Sequence, residues 1–242
     1  MSAALTDGDI VRLSAACSLD LAMFRRTHLE ARVRRALELA ENGAVDDLER
    51  QMGVDDDARE AFRRSVANSY TGMFRDREQF DTLRDLLMSE PRSGRPIRAW
   101  SAGCATGEEV WSLAATLARA GRADQATVLG SDVLAENVRE ARLMRPTPLD
   151  LLGIRIPASV QLRFECRDIV RQGAPGVGWD IVLCRNVAIY LEEDRRHEVH
   201  GTLSRAVRPG GLVMLGRSER MADPAAFGLG RVVPHIYRRT AA

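Results

Sequence analysis

Residues 98–113 read RAWSAGCATGEEVWSL: an apolar run, a small-residue bend, and two carboxylates at the head of a helical pattern. An apolar run that turns through glycine into a helix is the first strand–helix unit of an open α/β sheet, and such folds bind ligands beyond the carboxyl ends of their strands. Gly103 and Gly107 let a backbone approach a ligand closely, and Thr106 or the helix start offers hydrogen-bond donors. A phosphate-binding Walker loop needs lysine and a hydroxyl after its last glycine, whereas here those places hold Glu108 and Glu109. Two acids repel a polyphosphate. They suit a ligand that carries an ammonium or sulfonium group, or that offers hydroxyls.

Outward from this stretch the pattern alternates. Short apolar runs at PIRAWSA, ATVLGSDV, LRFECRDI, WDIVLCRN and GLVMLGRS are separated by helical patterns at GEEVWSLAATLARAG, LAENVREARLM and EEDRRHEVHGTLSRAV. Strands alternating with helices imply a mostly parallel sheet with helices on its faces, since parallel neighbours need crossover connections. The last run, RVVPHIYRR, follows a strand without an intervening helix and is expected to pair antiparallel at or near the sheet end. Before residue 96 the period is helical: in 24–40, Leu29, Val33, Ala36, Leu37 and Ala40 fall on one face. The expected division is a helical N-terminal part, 1–78, and an α/β part, 79–242.

Composition narrows the classes. The 242 residues suffice for one mid-sized domain with a smaller companion. Thirty-five basic and 34 acidic side chains nearly cancel, so no global field favours nucleic acid. No apolar run approaches the roughly 18–20 residues needed to cross a bilayer, and the acidic start does not resemble a secretory signal, so a cytoplasmic protein is expected. Cys17, Cys104, Cys166 and Cys184 are far apart, and buried reduced thiols are the default. His197 and His200 lie on a helix expected at the surface, without a fixed third ligand, so no metal site is expected.

Two further acids sharpen the ligand. Asp132 ends the second strand, 25 residues past Gly107, where an acid takes ribose hydroxyls; its alternative is a helix cap. Asp168 ends the third strand, where it would accept from an adenine amino group; its alternative is also an N-cap. An adenosyl ligand bearing positive charge points to S-adenosylmethionine, with NAD as the alternative that the two glutamates disfavour.

The series NSYTGMFRD, IRAWSAGCATGEEVWSLA, GSD, FECRDI, WDIVLCRNVAIYLEE, RPGGLVMLGRSE and HIYRR resembles the chemotaxis receptor methyltransferases of the CheR type. The resemblance spans about 64–238. It implies a Rossmann-like class I methyltransferase sheet, mostly parallel with an antiparallel strand near the C-terminus, preceded by a small all-helical domain. It also implies S-adenosyl-L-methionine as cofactor, S-adenosyl-L-homocysteine as product, and receptor glutamates as acceptors.

Carried over by position, Thr71 and Arg75 reach the methyl-donor end, with Ser69 in a place where relatives commonly have asparagine and Asn68 one step earlier. Gly103 lines the bend, Glu109 accepts from the cofactor amino group, and Asp132 holds the ribose. Asp168, often asparagine in relatives, and Ile169 flank the adenine. Arg185 and Asn186 form the pocket floor. Arg75 and Tyr190 are the pair implied for chemistry; read without the resemblance they are an arginine paired with Asp76 and a core tyrosine of the sheet.

A small antiparallel insert that relatives use to dock on a receptor tail peptide has no room between Ala141 and Phe164, so the resemblance does not carry tether binding. Its loss leaves a small-molecule or peptide carboxylate as an alternative acceptor, and a cofactor-binding sensor as a non-enzymatic one. Arg25, Arg26, Arg32, Arg34 and Arg35 cluster in a segment that in the family lies along the receptor's acidic helices; a solvated face is the alternative.

Overall fold

A computed structural model describes residues 5–39, 44–91, 94–147 and 150–241. Contacts divide the chain into two units, Met1–Ser69 with Tyr190–Arg196, and Tyr70–Ile189 with His197–Ala242. The division falls nine residues before the boundary drawn from sequence and returns a short later segment to the helical unit.

The helical unit holds α1 (Asp7–Cys17), α2 (Arg26–Leu39), α3 (Val45–Val54) and α4 (Asp56–Ala67). Local chemistry sets their ends. Thr6 and Asp9 form a reciprocal capping box at α1, satisfying two orphan amides. Asp55 accepts from the amides of Asp57 and Ala58 to start α4, which ends at Asn68 in the left-handed region. On α2, Leu29 and Val33 are buried and Ala36 and Leu37 half-buried, as their spacing requires; Ala40 lies outside the described residues. The later segment docks by backbone: Arg25 N donates to Tyr190 O at 2.8 Å, Glu192 N to Met23 O at 3.0 Å, and Phe24 bridges Leu191 antiparallel.

The second unit contains α5 (Arg77–Ser89), β1 (Arg98–Ala102), α6 (Glu108–Arg119), β2 (Thr127–Asp132), α7 (Ala135–Leu143), β3 (Gln161–Cys166), the single turn α8 (Ile169–Gln172), β4 (Trp179–Cys184), α9 (Glu193–Ala206), β5 (Val207–Leu215), β6 (Leu229–Val233) and β7 (Ile236–Arg239). The first residues of α9 group with the helical unit. The seven strands run in the order β3-β2-β1-β4-β5-β7-β6; the first five are parallel, and β7 is antiparallel to both of its neighbours. The final run that reads as one strand is therefore a hairpin, broken at Pro234 and at His235 (φ 67°), and β7 inserts between β5 and β6.

The central strand β4 is buried at all six positions, as expected of a parallel strand covered on both faces. Trp100 of β1 is fully buried, and its indole N–H donates to Ser131 Oγ of β2 at 2.9 Å, so the largest fully buried side chain is also satisfied. Because β2 lies on one side of β1 and β4 on the other, the strand order reverses there. The loops after β1 and β4 flank the resulting crevice.

The thiol expectation needs one correction: Cys17, Cys104 and Cys184 are buried, but Cys166, the last residue of edge strand β3, is exposed. The surface expectation for α9 needs another. His197 is exposed, but His200 is buried, its ring edge-on to Phe227, because it lies on the helix face next to the buried Val199 and Leu203. Among the described residues no group of three His, Cys, Asp or Glu side chains could hold a metal, and no helix is long and apolar enough to cross a membrane.

Candidate active site

The bend after β1 is built from left-handed backbone: Gly103 at φ 76°, Ala105 at 46° and Gly107 at 103°. A Cβ on Gly103 would lie 2.3 Å from Val187 Cγ2, so this glycine is required by space as well as by angle; one on Gly107 would lie a tight 3.1 Å from Ala141 Cβ, and there the angle is the main demand. Gly103 N and Cys104 N donate to Ser131 O at 2.7 and 2.9 Å, which fastens the bend to β2. The first turn of α6 has no side-chain cap: Thr106 turns its hydroxyl to Glu108 Oε2 at 2.8 Å. Uncapped amides at a helix start are ready donors for a carboxylate.

Asp132 is buried and largely committed inside the protein. Its Oδ2 accepts from Ala105 N at 2.9 Å, and its Oδ1 accepts from Leu134 N at 3.0 Å and Asn137 Nδ2 at 3.1 Å. Of roughly four acceptor positions on a carboxylate, one remains, where a two-hydroxyl hold on a ribose calls for two. Burial raises its pKa while these donors pull it down. Asp168 is the N-cap of α8, its Oδ1 accepting from Val170 N and Arg171 N; the other oxygen has no partner among the described residues, and Ile169 follows half-buried.

Glu109 Oε1 accepts from Ser101 Oγ at 2.8 Å, and Oε2 pairs with Arg185 at 3.0 Å. Desolvation raises its pKa, opposed by Arg185 and Ser101. Arg185 is buried and anchors a network. Beside Glu109, it donates to Gln79 Oε1 from Nε and Nη2, to Arg75 O at 2.6 Å and to Asp76 Oδ2 at 3.1 Å, with its guanidinium 4.9 Å from the Phe80 ring centroid. Its fork is thus spent on tying α5 and α6 to the turn that carries Arg75.

That turn, Tyr70–Asp76, has two non-glycine residues at positive φ, Phe74 at 51° and Asp76 at 55°. Such strain persists only when the surroundings over-determine it, and here Phe74 N donates to Ser112 Oγ while Arg185 holds the turn from below. Arg75 does not pair with Asp76: its Nη1 donates to Tyr70 O at 2.7 Å, and its guanidinium lies 5.2 Å from the centroid of the exposed Tyr70 ring. Thr71 is half-buried in the same turn. After β4, Asn186 is left-handed at φ 59°.

Ser69 and Tyr190 belong to the helical unit, whereas Thr71 and Arg75 belong to the other, so the structure does not bring the implied pair Arg75 and Tyr190 into one unit. Tyr190 is half-buried among helical-unit side chains rather than in the sheet core. Asn68 Nδ2 donates to its hydroxyl, Asn68 Oδ1 accepts from Arg32 Nη2 at 3.2 Å, and the His28 ring lies 4.7 Å away. Only this amide orientation satisfies both neighbours of Asn68. Of the remaining arginines of that segment, Arg26 pairs with Asp7 and Glu30, and Arg35 with Glu38.

Gln79 and Ser101 were not singled out in the sequence, and Asp76 and Asn68 were named there without the partners the structure gives them. Asp76 and Asn68 stood within the quoted motif, but nothing in sequence reveals that their partners lie 109 and 122 positions away.

A sheet of this order, with a glycine bend after β1 and acids closing β2 and β3, defines a Rossmann-like domain suited to a nucleoside cofactor. The model of the CheR methyltransferase SAM-binding domain matches residues 69–154 and 150–230, and the chain belongs to that family of S-adenosylmethionine-dependent methyltransferases. A chemotaxis protein methyltransferase of Listeria monocytogenes is 24% identical over 245 residues, covering 92% of each chain. Chemotaxis protein methyltransferase 2 of Pseudomonas aeruginosa is 27% identical over 234 residues, 86% of this chain and 83% of that one. Among solved structures, magnesium protoporphyrin IX methyltransferase of Synechocystis PCC 6803 with bound SAH is 20% identical and covers 63% of this chain and 58% of that chain, with a TM-score of 0.38.

Proposed function

We propose that this methyltransferase esterifies glutamate side chains on the cytoplasmic helices of chemoreceptors. The observation that carries this reading is the near end-to-end match to chemotaxis protein methyltransferases, 92% of each chain in the Listeria case. The cradle supports it: buried acids, a left-handed glycine bend, and uncapped amides at α6 suit a cofactor with an ammonium, a carboxylate and a sulfonium.

When bound, S-adenosylmethionine supplies an electrophilic methyl group. In this reading Glu109 takes the ammonium with its free acceptor positions, the α6 amides take the carboxylate, and the open position of Asp132 takes a ribose hydroxyl. The free oxygen of Asp168 takes the adenine amino group beside Ile169. Thr71 and Asn186 complete the lining, and Arg185 acts through Glu109 and the Arg75 turn.

A substrate carboxylate is already ionised at neutral pH and needs no general base, so the protein's task is orientation. Arg75 is held by a ring face and one carbonyl, leaving donors on its fork to steer an incoming carboxylate, and Tyr190, with Asn68 donating to its oxygen, keeps its own proton to donate. In this reading the α2 arginines meet acidic helices, Arg26 and Arg35 exchanging the Asp7, Glu30 and Glu38 carboxylates they now hold. The 144–160 segment contains no strand among its described residues.

Incubation with methyl-labelled cofactor and receptor membranes tests the reading. Base-labile label in the receptor is expected; label appearing only in small carboxylic acids would overturn it in favour of a biosynthetic carboxyl methyltransferase.

A further inference from the structure

We propose that Glu219 is a positioning residue for cofactor binding, whose buried carboxylate gathers four backbone amides and so fixes the loop after β4 against the glycine bend. Its Oε2 accepts from Asn186 N at 2.6 Å and Gly216 N at 2.8 Å; its Oε1 accepts from Val187 N at 3.1 Å and Ile189 N at 3.2 Å. All of the roughly four acceptor positions of a carboxylate are used. The residue is only 4% exposed, and among the described residues no arginine pairs with it. Backbone amides alone compensate the buried acid, so it acts on the path of the chain.

The path it sets matters for the cradle. Asn186 is held left-handed, and the next residue, Val187, rests on Gly103 so closely that even a methyl group there would collide. Bend and loop are one fitted surface, and moving the loop opens it. Space around the carboxylate is equally tight: a Cβ on Gly216 would lie 2.7 Å from Glu219 Oε2 and 2.8 Å from Asn186 N. The segment carrying Glu219 is fastened in turn by the C-terminal hairpin, with His235 Nδ1 donating to Glu219 O at 2.6 Å and Met221 N donating to Tyr237 Oη at 3.1 Å. The antiparallel end of the sheet therefore supports the cradle through Glu219.

The inference rests on the cofactor assignment and is independent of the acceptor. Glu219→Gln tests it: an amide offers one acceptor oxygen and turns donors on the other amide pair. In the cofactor-free protein, hydrogen exchange at Asn186, Val187 and Ile189 is expected to accelerate at least ~10-fold. At a temperature where circular dichroism shows both proteins folded, the calorimetric dissociation constant for S-adenosylmethionine is expected to rise at least ~10-fold, the effect of weakening charge-assisted hydrogen bonds.

If the glutamine variant does not fold, Glu219→Asp, which keeps the charge but withdraws it by one methylene, carries the same expectation. Affinity within about twofold of wild type in a folded variant, or unchanged exchange at the three amides, overturns the proposal. Wild-type protein that fails to bind the cofactor would instead overturn the assignment of the cradle.

Discussion

Arg185→Met probes the network beneath the cradle most sharply. Methionine roughly fills the stem volume, so the perturbation is chiefly loss of the guanidinium. That leaves Glu109, with 11% of its side chain exposed, without its cation, and frees Gln79 Oε1, Arg75 O and Asp76 of their donor. Breaking a buried ion pair from one side destabilises by about 3–5 kcal/mol. For a chain of this size that lowers the melting temperature by roughly 6–20 °C.

The partner substitution separates ion-pair loss from packing loss. In Arg185→Met/Glu109→Gln the buried charge is gone, and the double variant is expected to recover about 1.5 kcal/mol or more relative to additivity. Urea unfolding of the four proteins measures both terms. A single variant that loses less than about 1 kcal/mol, or a double variant that is merely additive, would refute the reading of Arg185 as the hub that holds Glu109 and the Arg75 turn.

Three further outcomes follow from the geometry. Arg75→Ala is expected to cut turnover far more than cofactor affinity, while Asp132→Ala, which removes the staple on Ala105 N as well as an acceptor, weakens cofactor binding first; calorimetry with steady-state kinetics would expose the reverse order. Gly103→Ala meets Val187 at 2.3 Å from a left-handed backbone and is expected to destabilise by about 2 kcal/mol or more, read as a lower urea midpoint.

The third outcome concerns pH. Burial raises the pKa values of Glu109, Asp132 and Glu219 above their ordinary 4.5, 3.8 and 4.5. Between those values and the raised ones the native state binds more protons than the unfolded chain, so the stability contributed by these groups falls as pH rises through that window. Urea midpoints across the window should show a shallower fall for Glu109→Gln than for wild type.

What the sequence revealed depended on whether the determinant was local. The bend in 98–113 was legible because glycines, a strand run and a helix start lie within sixteen consecutive residues. The α2 face was legible for the same reason. The C-terminal hairpin was not, because Val232 and Val233 lead into Ile236 and Tyr237 with only Pro234 and His235 to mark a turn. Arg185 stood in a quoted motif, yet its employment by Gln79, Asp76 and Glu109 depends on three separate elements meeting. Asp132 was read by position as a ribose acid, whereas the bend itself claims most of its acceptor capacity. Asn68 lay next to the expected motif position, and only the fold shows its amide joining Arg32 to Tyr190.

The central claim, glutamate esterification on receptors, is tested most directly by peptide mass spectrometry of a chemoreceptor after incubation with this protein and S-adenosylmethionine. Methyl esters on glutamate side chains of the receptor's cytoplasmic helices, absent when Arg75→Ala replaces the wild type, are the predicted result. A receptor recovered unmodified while the protein binds cofactor and methylates another carboxylate would contradict it.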